Sequence, residues 1–252
     1  MLLVLGAIVG FVASFISTLL GGGAGLIATP AFYYIALHIY GPQYAMQIAL
    51  ATCYGMSVCL SLVATYKHQR KGNIAFGELK YYLIFLAIGT IIGAFIVRHI
   101  NTELLKYIFS TLLILSGIWM ILHNDSKVIN PPEKVKYFVS AICGTLGVLA
   151  TSTTFTTMFF IKIGTELKKA ISIASVCVLI TSSLATVIVV FGVNIDVPNT
   201  YGYVSIPMLL ASGIFGIIGS LLAVRFLGFI SPKILKILFI VLMFVSGIVM
   251  LL

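Results

Sequence analysis

Residues 1–66 contain no Asp, Glu, Lys or Arg, and that stretch constrains the chain more than any motif within it. In lipid every backbone amide must be bonded internally, so a segment this long and this free of charge crosses the bilayer as helix. Apolar residues make up 61% of the 252 positions and charged residues 8%, against roughly 25% charged in a soluble domain. The chain reads as an all-α polytopic membrane protein of the cell membrane. Its formal charge of +9 then reflects loop lysines and few acids, and no nucleic-acid partner is expected. The N-terminus lacks a basic leader and its apolar run continues past any cleavage site, so no cleaved signal peptide is expected.

Segments 44–66, 78–97, 104–122, 170–191, 203–224 and 234–252 are long and apolar enough to span. Two others are interrupted. Segment 2–38 is broken by "GGGAG", and segment 137–161, "YFVSAICGTLGVLATSTTFTTMFFI", has a polar centre. Each precedes three ordinary spans, which points to a repeat. Residues 104–122 lie over 234–252 with nine of 19 positions identical, including Lys106/Lys236 and "SGI" in both. Upstream, "GTIIGAFIVR" (89–98) lies over "GIIGSLLAVR" (216–225).

Charge decides how the halves are oriented. If the interrupted segments enter and return as re-entrant hairpins, thirteen basic residues fall on one side. They are Lys67, Arg70, Lys71, Lys80, Lys127, Lys134, Lys136, Lys162, Lys168, Lys169, Arg225, Lys233 and Lys236. Arg98 and Lys106 alone fall on the other. Single crossings would spread the charge almost evenly. The positive-inside rule therefore favours two inverted repeats, each a broken helical hairpin plus three transmembrane helices, with both termini extracytoplasmic. The divisions are a first repeat over 1–123, a cytoplasmic linker over 124–136 and a second repeat over 137–252.

Inverted repeats with broken helices are the pattern of secondary transporters, which bind substrate near the midplane between the repeats. Glycine permits the turn, and the helix that follows presents free N–H groups and a positive dipole end, which favour an anion. Gly21, Gly22, Gly23 and Gly25 are the candidates in the first half, with Pro30 as a hinge. Thr151, Ser152, Thr153 and Thr154 supply hydroxyls at the corresponding turn of the second half. Thr52 and Ser175 occupy equivalent positions within their spans and are further candidates. Arg98 and Arg225 end matching spans and could draw anions to the pathway mouths, or could simply snorkel to the interface.

"GFVASFISTLLGGGAGLIATP" (10–30), followed by "QIALATCYGMSVCLSLVATYKHQRKGNI" (47–74), resembles the TauE/SafE family of sulfite exporters, within the toluene-sulfonate uptake permease group. The shared features are a Gly-rich stretch ending in Pro, an "A-x-A-T" segment about 20 residues later, then "G-x-x-x-G" and a terminal Arg in the third span. The resemblance implies transport of small sulfur-containing anions such as sulfite, thiosulfate or organosulfonates. It also carries over Gly21, Gly22, Gly23, Gly25, Pro30, Ala51 and Thr52, with Ala174 and Ser175 as second-half counterparts. At 144–155, "GTLGVLATSTTF", the chain departs from the family's second Gly-rich motif.

Other chemistry finds little footing. The acids Glu78, Glu103, Asp125, Glu133, Glu166 and Asp196 lie in or beside loops, so an intramembrane carboxylate relay is not expected. The coupling ion, proton or sodium, is left open. Cys53, Cys59, Cys143 and Cys177 lack paired spacing, and the histidines fall at span ends. No cofactor, metal or catalytic residue is expected, so the chain is not read as an enzyme. A carrier working by alternating access is the first reading, an anion channel or a transporter of another small organic anion the second. A scaffold would tolerate a bulky residue at Gly22; either transport reading would lose flux.

Overall fold

The computed structural model describes residues 1–20, 23–70, 76–122, 128–151, 154–191, 193, 195–226 and 232–252. The polypeptide is all-α, with helices α1 (Leu2–Leu20), α2 (Ala24–Tyr40), α3 (Ala45–Arg70), α4 (Phe76–His99), α5 (Thr102–Leu122), α6 (Glu133–Leu149), α7 (Thr154–Lys162), α8 (Leu167–Val190), α9 (Ile206–Ala223) and α10 (Pro232–Leu251). Six of these contain a stretch long and apolar enough to cross a membrane.

Local signals set several helix ends. Asn101 accepts the Leu104 N–H at 2.8 Å and caps α5. Pro207 occupies the first turn of α9, where its missing N–H costs nothing. Lys67, His68 and Arg70 close α3, complementing its dipole. Two expected boundaries move. Helix α6 begins at Glu133, inside the expected linker. The span expected from 203 begins instead at Ile206, because Thr200–Tyr201 (β1) pairs antiparallel with Val204–Ser205 (β2). Asn199 and Gly202 supply the positive φ values, 62° and 54°, that this tight turn needs.

Helix α3 lies at the centre: 61% of its apolar window is buried, against 28–39% for the other spans. It runs antiparallel to α8, with Thr65 and His68 near its end facing Ser175 and Ser172 near the start of α8. Helix α1 packs parallel to α9, Gly6 against Met208 and Gly10 against Ser212. Helix α4 packs parallel to α6, Tyr82 against Ser140 and Gly93 against Thr145 and Val148. Helices α5 and α10 cross antiparallel: Phe244 lies on Gly117 and Ile114 lies on Gly247.

The helix ends gather at two faces. Lys162 sits over the Trp119 ring at 5.0 Å, and the Ile129 N–H donates to Lys162 O, so the ends of α5 and α7 and the start of α6 share a lysine-rich face. At the opposite face Gln47 donates to Ile100 O (2.8 Å), Thr102 donates to Gln47, and Tyr40 meets Ser205 at 3.1 Å. Arg98 and Lys106 belong to this second face, at the end of α4 and the start of α5.

The hairpins are unequal. Limb α1 runs beside α9 as far as Thr18, whose hydroxyl bonds Ser220 at 2.9 Å, and α2 returns over 17 residues. Limb α7 has nine. At 1.5 Å per residue these return limbs are about 25 Å and about 14 Å long. By the return limbs, the tips lie nearer the level of Lys162 than that of Tyr40, although α6, which leads to the same tip, also has 17 residues.

Candidate functional site

The first hairpin turns at Gly23, which caps α2 with φ 87°. That left-handed geometry favours glycine, and a side chain there would also run into Phe239 and Leu26. The second hairpin turns at Thr151 with φ 46°. A β-branched residue held there stores about 1–3 kcal/mol of strain, so the surrounding contacts must hold it in place. They come from the first hairpin. The Thr151 hydroxyl bonds the fully buried Thr29 at 3.0 Å, and a methyl group on Gly25 would overlap the hydroxyl and carbonyl oxygens of Thr151. Glycine at position 25 is what lets the two tips touch.

Thr151 also lines a cavity of about 30 Å³, room for one or two waters. Tyr54 and Ser57 of α3 face it, with Cys143, Gly147 and Val148 of α6, Thr156 of α7, and Cys177, Val178, Thr181 and Ser182 of α8. The lining is neutral: hydroxyls, thiols and apolar groups, without a carboxylate or a cation. The Tyr54 hydroxyl donates to Val148 O at 2.8 Å, tying α3 to the tip of α6. Cys53 faces Thr29, Ser57 and Thr151 from the next position of α3. Among the described residues no group of three or more His, Cys, Asp or Glu could hold a metal ion.

A family model described as sulfite exporter TauE/SafE matches residues 6–250. The chain belongs to this family. It is 27% identical over 261 aligned positions to a probable membrane transporter protein of Methanocaldococcus jannaschii, covering 100% of this chain and 96% of that relative. A probable membrane transporter protein of Bacillus subtilis is 29% identical over 177 positions, covering 67% of this chain and 65% of the relative. No solved structure matches. This TauE/SafE chain is thus a multi-pass membrane transporter.

Of the residues singled out from sequence in this TauE/SafE member, Gly23, Gly25 and Thr151 come together at the tips. Gly21, Gly22, Ser152 and Thr153 lie outside the described residues, as does the side chain of Thr154 at the start of α7. Thr52 and Ser175 do not line the cavity. Thr52 is buried and accepts the N–H of Ser205, the residue before α9, at 3.1 Å, while Ser175 donates to Ser172 O and lies by Thr65. Replacing Thr52 by Val should lower thermal stability, because it orphans a buried N–H worth about 1–3 kcal/mol. Uptake KM should stay unchanged, and a shifted KM at unaltered stability would instead place Thr52 on the substrate.

Pro30 does not interrupt α2. It removes the N–H that would bond Leu26 O, and Ser246 of α10 donates to that carbonyl at 2.5 Å instead. The carbonyl that Pro30 frees, at the expected hinge, is thus bonded across to α10. Arg98 sits beside the β1–β2 turn: burial and Tyr44 push the Tyr203 phenol up, and the Arg98 guanidinium draws it down. Arg225 is exposed, in the 3₁₀ turn that follows α9.

Sequence reading missed Thr29, Cys53, Tyr54, Ser57, Cys143, Thr156, Cys177, Thr181 and Ser182. Helical spacing was the available signal. Tyr54/Ser57, Cys143/Gly147 and Cys177/Thr181 fall three or four residues apart, on one face of their helices.

Proposed function

We propose that this transporter moves a small sulfur-containing oxyanion, sulfite or thiosulfate ahead of organosulfonates, by alternating access between two inverted halves. One observation carries the reading. Helices α2 and α7 both start at the meeting tips and run away from each other toward opposite faces, so two N-termini converge. Each presents about half a positive charge, and two such ends held together repel unless an anion lies between them. The Gly21–Gly25 backbone and the hydroxyls of Thr151–Thr154 would replace the anion's water. The neutral thiols and hydroxyls of the cavity would complete the shell, and no bond chemistry is required.

Antiparallel α3/α8 and α5/α10 favour inverted halves. So does the exchange in which Phe244 covers Gly117 while Ile114, its repeat-mate, covers Gly247. The positive-inside rule then puts the lysine-rich face in the cytoplasm and both termini outside. Size favours a small anion, since a cavity that accepts benzene measures about 150 Å³ and this one about 30 Å³. Opening toward the lysine-rich face would break the Tyr54–Val148 bond and release the α6–α7 tip.

The test is uptake of labelled sulfite, thiosulfate and an arylsulfonate into proteoliposomes, with and without unlabelled substrate inside. Saturable sulfite or thiosulfate uptake, accelerated by internal substrate, is expected, with negligible arylsulfonate flux. Uptake that neither saturates nor accelerates would make the protein a channel. No flux from folded protein would remove the sulfur-anion assignment.

A further inference from the structure

We propose that Tyr82 of α4 is a further substrate contact, its hydroxyl donating to the anion on the lysine-rich side of the cavity; this rests on the transport reading above. Two buried side-chain polar atoms among the described residues make no hydrogen bond, Ser14 Oγ and the Tyr82 hydroxyl. Ser14 lies in the α1–α9 seam against Gly216. Tyr82 is different. The residue is 5% exposed, and its hydroxyl faces Cys143, Thr156 and Cys177, three side chains that line the cavity.

The ring cannot turn away to find water. Phe160 holds it edge-on at 4.8 Å and Phe159 stacks at 5.9 Å. Its backbone is fixed as well: Ser140 donates to Tyr82 O at 2.5 Å, and α4 and α6 approach closely at Gly144 and Leu86. A phenol clamped near Cys143 and Thr156 but in good hydrogen-bond geometry with neither is a standing cost that a phenylalanine would avoid. The hydroxyl therefore serves a state other than this one, in which an acceptor enters the space beside Cys143 and Thr156. An oxyanion with three or four oxygens can use that donor while the hairpin tips hold its other oxygens.

The experiment compares wild type with Tyr82→Phe, reading KM and maximal rate of sulfite and thiosulfate uptake, and the melting temperature with and without sulfite. A donor to a charged group is lost, so KM should rise about 10- to 100-fold. The melting temperature without sulfite should stay the same or rise, since no hydrogen bond of good geometry in the resting protein is broken. The stabilisation produced by sulfite should shrink. A KM within twofold of wild type, or a fall in melting temperature without sulfite, overturns the assignment of Tyr82 while wild-type uptake leaves the transport reading intact. Absence of both uptake and sulfite-induced stabilisation in wild type overturns the two together.

Discussion

Alanine at Gly25 should cut anion uptake far more than its one methyl group suggests. The added carbon would press on the backbone and hydroxyl of Thr151, and neither side can yield easily. Gly25 sits in the first turn of α2, and Thr151 is already held at positive φ. Overpacking of this kind costs about 1–3 kcal/mol. Borne by the state in which the tips touch, that shifts the balance between tip-closed and tip-open conformations by about 5- to 150-fold. Initial rates in proteoliposomes, normalised to folded protein, give the measurement. A Thr151→Gly change in the same chain removes the overlapping side chain and relaxes the backbone, so the double variant should recover part of the rate. Normal uptake by Gly25→Ala would mean that the tips need not touch during the cycle.

Ser246→Ala should be the most destabilising serine substitution in the two copies of the "SGI" motif, and its effect should depend on a proline in another helix. Pro30 leaves Leu26 O without its helical donor, and Ser246 is the replacement. Removing the hydroxyl orphans a buried carbonyl at about 1–3 kcal/mol, or about 2–4 °C of melting temperature per kcal/mol in a chain of this size. Pro30→Ala restores the N–H to Leu26, so the double variant should regain most of the loss. Ser116 is the repeat-mate of Ser246, and its hydroxyl turns back on its own helix at Leu112 O, 2.5 Å away. Helix α7 of the second half contains no proline, so no carbonyl waits to be served. Ser116→Ala should fall within about 0.5 kcal/mol of wild type. Equal effects at the two serines would show that the α2–α10 bond carries no weight.

The membrane architecture was legible because lipid leaves few options. Long apolar runs became helices, and the two interruptions became the turns at Gly23 and Thr151. Arg98 and Lys106 do lie on the face opposite the lysines. Helix lengths beyond the apolar runs were less legible: α3 continues to Arg70 and α6 starts at Glu133, since helix does not stop where the hydrocarbon does. The β1–β2 turn was missed because Tyr203–Ser205 is apolar enough to read as span, and the turn chemistry of Asn199–Gly202 lay just outside it. At the site, residues that broke the apolar pattern could be found. Thr29 could not, because one hydroxyl inside a membrane helix reads as bonded to its own backbone, and Cys53 could not, because a lone thiol reads as a small core residue. Tyr82, near a span end, reads as part of an interfacial aromatic belt. Thr52 and Ser175 show the reverse: positions that the sequence matches across the two halves take unlike duties, Thr52 accepting from Ser205 and Ser175 donating within its own helix.

On the transport reading proposed above, an anion held where return limbs of about 25 Å and about 14 Å meet would divide the membrane's electrical drop unequally. Moving one charge across 100 mV involves about 2.3 kcal/mol. In a uniform field about two thirds of that belongs to the leg between the tips and the face bearing Arg98, and about one third to the leg from the lysine-rich face. An anion leaving through the Arg98 face under an interior-negative potential thus gains most of its electrical driving force after it has left the binding site. Voltage should act chiefly on release and rebinding at that face, and only weakly on loading from the other.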